Sequence, residues 1–353
     1  MGMPEIIIDF KTLAVSAVQR SERGVVALIL KDSTDTTFDT KIYTSISDVA
    51  AGDWTADNKD YIDKAFMGTP SKIIVERINA DALDYNAALS RLANKQFNYL
   101  AVPGIADADV PVIGSWIKDR RDNGKKTFKA VLPNHAADHE GVINFATADI
   151  QAGSKTYTTA EYCARIAGVL AGLPFTRSST YYALTEVESV TESADPDADI
   201  DAGKLILVND GAKIKIGRGV NSLITATAAK GEIFKKIKIV EGVDLVRDDI
   251  RNTFENNYVG KVINHYDSKV LFTASVNAYL KQLANSDILD RNYDNRAEVD
   301  VESQRLYLQG KGVNVDEMDE QGIKEYNTDS KVFLKSNVKF VDAIEDLQFS
   351  VYM

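Results

Sequence analysis

Two of the three histidines fall close together, in His135-Ala136-Ala137-Asp138-His139-Glu140. On a helix, imidazoles at i and i+4 share one face, a spacing that suits a zinc ion. The hydrolytic form of that motif carries Glu directly after the first His, and here Ala136 stands there. Pro133-Asn134 instead reads as a loop entering a helix, with Asp138 as its cap. A cytosolic α/β hydrolase or metal-dependent enzyme using His135, Asp138 and His139 is the alternative function carried forward. A serine nucleophile has no Gly-x-Ser-x-Gly turn to sit on. Gly124-Lys125-Lys126-Thr127 resembles the end of a phosphate loop, but Asp119 occupies the place of the first glycine. Gly217-Arg218-Gly219-Val220-Asn221-Ser222 starts like a dinucleotide fingerprint and then has Ser222 for the third glycine, so it reads as a tight turn. Asp195, Asp197, Asp199 and Asp201 begin like a calcium loop, yet Ile200 replaces its glycine and Ile206 its bidentate glutamate. The single cysteine, Cys163, lies in an apolar run and reads as a small buried hydrophobe. Catalytic site residues, metal ligands and cofactors are therefore all expected to be absent.

The 353 residues allow two or three domains, and 44% hydrophobic composition fills ordinary cores. A formal charge of −11 argues against nucleic acid or an anionic membrane as partner, since both need a basic face. One cysteine fits folding in a reducing compartment. No apolar run approaches the ~20 residues that span a bilayer, and no basic-then-apolar leader follows Met1, so neither membrane insertion nor export by a cleaved signal is expected.

The elements that would position any site alternate. Val25–Leu30, Lys72–Ile78, Tyr99–Val102 and Phe128–Leu132 are apolar runs that fit buried strands. Between and after them, Asn58–Met67, Asp81–Leu92, Val110–Arg121 and Thr158–Leu170 have helical spacing, the last with Ala160, Ala164, Ala167 and Gly168 to permit close packing. That alternation predicts an α/β domain with a largely parallel sheet. Between Tyr182 and Lys204 the chain carries seven acids and no Lys or Arg, which reads as a solvated acidic excursion near 186–203. Asn209-Asp210-Gly211 signals a two-residue hairpin turn. Phe234–Val240 alternates as a strand, Val243 onward and Val270–Leu283 are helical, Glu298–Gln309 reads as a kinked strand, and Asp316–Tyr326 as a short helix. These make an α+β carboxyl-terminal domain.

Both ends of the chain are apolar strands. Val332, Leu334, Val338 and Phe340 alternate with Lys331, Lys335 and Lys339, and Leu347, Phe349, Val351 and Met353 continue the pattern to the last residue. Near the start, Ile6, Ile8 and Phe10 alternate with Glu5, Ile7 and Asp9. Chain ends normally fray in polar sequence, so two apolar strand-like ends predict pairing between copies by strand addition to an open sheet edge.

Three stretches carry a family resemblance: Gly217–Leu223 (GRGVNSL), Phe234–Lys261 (FKKIKIVEGVDLVRDDIRNTFENNYVGK) and Val332–Phe349 (VFLKSNVKFVDAIEDLQF). Together they resemble the tail sheath proteins of contractile-tailed phages, in particular the compact sheaths of Gram-positive phages and phage-tail-like particles. The resemblance implies a non-catalytic α/β domain of subtilisin-like fold, an α+β carboxyl-terminal domain facing an inner tube, and extended strand arms at both termini. On this chain the division would be an amino-terminal arm at 1–24, the α/β domain at 25–233, the carboxyl-terminal domain at 234–330 and an arm at 331–353. The inter-subunit arm residues would be Ile6, Ile7, Ile8, Phe10, Val332, Leu334, Val338, Phe340, Leu347, Phe349, Val351 and Met353. Tube-facing residues would be Asp316, Glu317, Glu320 and Lys324. The implied function is a structural subunit, not an enzyme, polymerising by strand exchange into a sleeve of hexameric rings that contracts to drive the tube through the host envelope. Its partners would be further copies of itself, the tail tube protein, and baseplate and tail-terminator proteins, with no nucleic acid and no membrane insertion. It would reside in a virion or phage-tail-like particle assembled in the host cytoplasm. A tube protein of the same machine is usually smaller and all-β, and the alternating helices count against it.

Overall fold

The computed structural model describes Val18 and residues 24–353. The strand expected at Ile6, Ile7, Ile8 and Phe10 lies outside the described residues. The chain forms two compact units, one within Glu22–Asp244 and Asp342–Met353, the other within Leu245–Val341.

The first unit opens with β1 (Val25–Lys31), β2 (Thr40–Tyr43), α1 (Ala56–Phe66), β3 (Lys72–Ile78), α2 (Asn86–Leu92) and β4 (Tyr99–Ala101). It continues through α3 (Val110–Asp122), β5 (Lys129–Pro133), β6 (Val142–Phe145), β7 (Ala148–Ala152), β8 (Lys155–Tyr157) and α4 (Thr159–Gly172). Then come β9 (Ser189–Thr191), α5 (Pro196–Asp201), β10 (Lys204–Leu205), β11 (Leu207–Asn209) and β12 (Ile214–Ile216). Seven strands make one sheet in the order β10-β6-β5-β4-β1-β3-β2. All its pairings are parallel except that of edge strand β2 with β3.

Central strand β1 is buried on both faces, which is why it reads as a continuous apolar run. Val26, Leu28 and Leu30 enter a core shared with Ile62 and Ala65 of α1 and Ile166 and Ala167 of α4. Val25, Ala27 and Ile29 enter the opposite core, with Leu89 and Leu92 of α2 and Ile113 and Ile117 of α3. Helix α4 starts at a capping box: the Glu161 amide donates to Thr158 Oγ1 (3.3 Å) and the Thr158 amide to Glu161 Oε2 (2.7 Å). Its glycines permit close packing. A Cβ on Gly168 would overlap the Ala65 carbonyl oxygen at the end of α1, with Ala65 C only 2.8 Å away.

In the second unit, α6 (Ile237–Asn257), begun in the first unit, is followed by α7 (Tyr266–Asn285), β13 (Arg296–Val299), α8 (Val301–Gly310), α9 (Glu320–Glu325) and β14 (Leu334–Asn337). The two strands pair antiparallel, Val299 opposite Leu334 and Arg296 opposite Asn337. Phe254, Tyr258 and Phe272 form an aromatic cluster with centroids 4.7–5.9 Å apart.

Several expectations need correcting. Phe234–Val240 is a 3-10 turn, Glu232–Lys235, leading into α6. Ile237, Val240, Asp244 and Leu245 are all buried, and that i, i+3, i+7, i+8 spacing overrides the β-branched alternation. Glu298–Gln309 is strand only to Val299, because the Asp300 carboxylate accepts the Ser303 amide (3.1 Å) and caps α8. Helix α2 begins at Asn86 rather than Asp81, where the Asp84 carboxylate takes the Asn86 amide in a local turn (2.9 Å), and Leu83 is exposed. The β11–β12 connection is the four residues 210–213, with Asp210 Oδ1 accepting the amides of Ala212 (2.9 Å) and Lys213 (2.8 Å). Asp316–Tyr326 is helical only from Glu320. Leu347–Met353 forms no strand with the chain's own described residues.

Candidate assembly surface

The pairing register of β13 with β14 decides which strand edge is free. Ala297 of β13 turns its backbone away from β14, and the Asn277 side chain on α7 meets it, its Nδ2 donating to the Ala297 carbonyl (3.0 Å) and its Oδ1 accepting the Ala297 amide (2.7 Å). One edge of the ribbon is thus capped by a side-chain amide acting as a strand. Ser336 and Leu334, opposite Ala297 and Val299, turn their N–H and C=O groups to the other edge of β14, where the described residues provide no further strand. On β14 and its flanks Val332, Leu334, Val338 and Phe340 are half-buried while Lys331, Lys335 and Lys339 are exposed, the alternation expected from the sequence. The chain then continues in extended contact, Val341 donating to Ile288 O (3.0 Å) and Asp290 to Lys339 O (2.8 Å).

From Asp342 the chain belongs to the first unit. Asp342 pairs with Lys236. Glu345 Oε1 accepts hydroxyl hydrogens from Ser178 (2.8 Å) and Thr180 (2.6 Å), and its Oε2 faces Arg218 Nε and Lys236 Nζ, each at 3.6 Å. Asp346 receives both its bonds from Arg218 Nη2, at 2.6 Å. Beyond this anchor everything apolar faces outward: Leu347 is 87% exposed, Phe349 79%, Val351 69%, and Met353 fully. These alternating side chains form an exposed apolar patch, a feature that soluble proteins usually keep small. A second apolar feature lies in the other unit, a cavity of about 450 Å³ lined by Phe254, Tyr258, Phe272 and Val332, with Val259 and Ile263 exposed at its rim.

The remaining candidates are dispersed. His135 and His139 sit in the β5–β6 loop, not on a helix; Asn134 and Asp138 there have φ of +47° and +48°. Asp138 accepts the amides of Ile224 (2.8 Å) and Thr225 (2.9 Å); the Thr225 side chain first, then these two amides, hold its carboxyl down at about 2. His139 Nδ1 accepts the Gly141 amide (3.0 Å), so its proton sits on Nε2, 3.4 Å from Asp122; burial lowers its pKa, and that of His135. No group of three His, Cys, Asp or Glu among the described residues is arranged to hold a metal. Asp195 caps α5 and Asp199 pairs with Lys204 (2.6 Å), so the aspartates do not converge as a calcium loop would. Cys163 is fully buried, its Sγ donating to Thr159 O (3.3 Å), and burial pushes the thiol up. A cavity of about 260 Å³ touches Gly24, Ser71 and Asn98, at the amino ends of β1, β3 and β4. Ligands of open α/β sheets lie instead beyond the carboxyl ends of the strands. Asp316 and Glu317 are in an exposed turn, Glu320 opens α9 exposed, and Lys324 is half-buried.

Sequence reasoning passed over the most desolvated charges. Asp244, the first unit's last residue on α6, accepts Arg121 Nη1 (2.9 Å) and Nη2 (3.0 Å) and Lys129 Nζ (2.9 Å), all fully buried. Burial opposes its ionisation, but the two cations prevail and hold its carboxyl well below the usual range. Glu345 was missed as well. A signal was available for Asp244, an acid at a position where the helical apolar pattern of Ile237, Val240 and Leu245 demands a buried side chain, and none for Glu345, whose neighbours are exposed.

This is the architecture of sheath proteins. The fold superimposes on the sheath tail protein of Desulfitobacterium hafniense with a TM-score of 0.71 at 18% identity, covering 84% of this chain and 94% of that one. It also matches the helical sheath of the anti-feeding prophage in its contracted state, with a TM-score of 0.71 at 13% identity over 100% of this chain and 99% of that one. Residues 79–222 match the phage tail sheath protein central domain and residues 229–353 the phage tail sheath C-terminal domain. The tail sheath protein of Clostridium phage phiCD119 is 42% identical, over 100% of this chain and 99% of that protein. The chain belongs to the phage tail sheath family, whose members are structural proteins of contractile tails and related injection systems.

Proposed function

We propose that this chain polymerises by strand exchange into a helical sleeve of hexameric rings around an inner tube, and that the sleeve contracts to drive the tube through a host envelope. The observation that carries this reading is the conjunction, in one chain, of a β14 edge at Leu334 and Ser336 and an apolar segment, Leu347–Met353, each without a strand partner among the described residues. Each copy has both an acceptor edge and a donor strand, so addition is heterologous and propagates. The amino-terminal segment Ile6–Phe10 is a second donor under this reading. The α/β unit, subtilisin-like in fold, is a rigid body that performs mechanical work, and no covalent step is assigned to it. Tail tube, baseplate and tail-terminator proteins are the partners, with Asp316, Glu317, Glu320 and Lys324 toward the tube. The particle is a virion or phage-tail-like device assembled in the bacterial cytoplasm. Energy for contraction comes from extra burial between copies: at ~25 cal/mol per Å², a few hundred Å² of apolar surface per subunit supplies several kcal/mol. Deleting Leu347–Met353 tests the reading by electron microscopy. The truncated chain should remain folded and form no sleeves; sleeves of normal abundance would end the strand-exchange account.

A further inference from the structure

We propose that Glu345 is a positioning residue for assembly: its carboxylate seats the start of the terminal segment on the subunit's own α/β unit, so that Leu347–Met353 leaves from a fixed point in a fixed direction. The inference rests on the reading that this segment is the donor strand. It adds a residue to which no assembly role has so far been given.

The geometry sets Glu345 apart from its neighbours. Its side chain is only 6% exposed, whereas Ile344 is 98% exposed and the Asp346 side chain 84%. In a segment otherwise lying open to solvent, one carboxylate is withdrawn from water. It is met by two hydroxyls on one oxygen and two cations on the other. The receiving groups are themselves fixed. The Thr180 amide donates to Ser178 Oγ (3.1 Å), the Gly219 amide donates to Thr180 Oγ1 (2.9 Å), and Lys236 holds Asp342 as well. Lys236 also bridges Val220 through the backbone, so the hydroxyl loop, the Gly217–Ser222 turn and the entry to α6 converge on one acid. Arg218 then grips Asp346 from the outside.

Such a seat does for a strand what a turn does for a hairpin: it sets register. A one-residue slip turns every side chain of a strand to the opposite face, so a donor strand that starts from a loose tether would sample registers in which Leu347, Phe349, Val351 and Met353 face solvent. Fixing the residue two positions before the first apolar side chain removes that freedom before a neighbour is met, which is how preorganisation raises affinity.

The test uses the full chain. A Leu347→Cys variant is labelled with a fluorophore; Cys163 is buried and stays unlabelled. Adding Glu345→Ala should lower the anisotropy of the label in the unassembled subunit while the melting transition of the α/β unit is retained. In the unlabelled chain, Glu345→Ala should raise the critical concentration for sleeves about tenfold, the effect of one charge-assisted contact. Ser178→Ala and Thr180→Ala combined with Arg218→Ala, which removes both hydroxyls and one of the two cations and leaves Glu345, should reproduce both changes and covers the case in which Glu345→Ala does not fold. Unchanged anisotropy in either variant overturns the seat. Lower anisotropy with an unchanged or improved critical concentration overturns its role in assembly. Sleeves formed by the Leu347–Met353 deletion would refute the donor-strand reading instead, whatever the seat does.

Discussion

Phe349→Ala separates a donor strand from a solvated tail, because Phe349 contributes nothing to the subunit's own core: it is 79% exposed. Folding stability should therefore be unchanged. In an assembled sleeve the ring would be buried against a neighbour, and burying a large apolar side chain contributes about 1.5–3 kcal/mol. The margin is what makes the change decisive. Four such side chains supply roughly 6–12 kcal/mol, while ordering seven backbone residues costs about 7–14 kcal/mol, so the terms nearly cancel and edge hydrogen bonds tip the balance. Loss of about 2 kcal/mol should raise the critical concentration about 30-fold. Ser350→Ala, on the opposite face of the strand, should shift it less than about twofold, because an exposed Ser loses little on truncation. Pelleting of polymer across a concentration series, with unfolding in urea as the control, reads both quantities. The reasoning is refuted if Phe349→Ala leaves the critical concentration within twofold of the parent, or if Ser350→Ala matches it.

Asp244→Ala leaves Arg121 and Lys129 buried with Glu140 (3.4 Å) and Glu241 (3.0 Å) as their counter-charges among the described residues, and should destabilise the α/β unit by about 3–5 kcal/mol in denaturant unfolding. Replacing all three by apolar residues, Asp244→Leu with Arg121→Met and Lys129→Met, should recover most of that loss; a triple variant weaker than the single one contradicts the cause given. Gly168→Ala should cost about 3 kcal/mol or more, since the added Cβ meets Ala65 backbone atoms that cannot rotate away, whereas Gly52→Ala, with nothing within 4 Å, should be neutral in the same melt.

What the sequence makes legible is whatever a single element decides for itself. Val25–Leu30 is apolar on both faces, and a strand with no polar side has only one kind of place to go, the middle of a sheet covered by helices; the parallel order around β1 follows. The helical spacing from Thr158 to Leu170 announces α4 locally, and Ala164, Ala167 and Gly168 its close packing. The errors come where a distant partner decides. Ile237-Lys238-Ile239 alternates as a strand does, yet Asp244 is drawn into the Arg121–Lys129 cluster from residues more than a hundred positions earlier in the chain, and only a helix carries Ile237, Val240 and Asp244 inward together. Val299-Asp300-Val301 looks continuous until Asp300 is seen to cap. The assembly surface is divided in the same way. Alternation marks Leu347, Phe349, Val351 and Met353 as one face without any structure, because side-chain facing has a period of two and needs no partner to define it. Which edge of the ribbon is left without a partner among the described residues is invisible in sequence, because it depends on Asn277, twenty positions from Ala297, occupying the far side of β13. Glu345 is hidden for a related reason: an acid in a tail reads as solvated until its hydroxyl and cation partners, contributed by three separate segments, are brought to it by the fold.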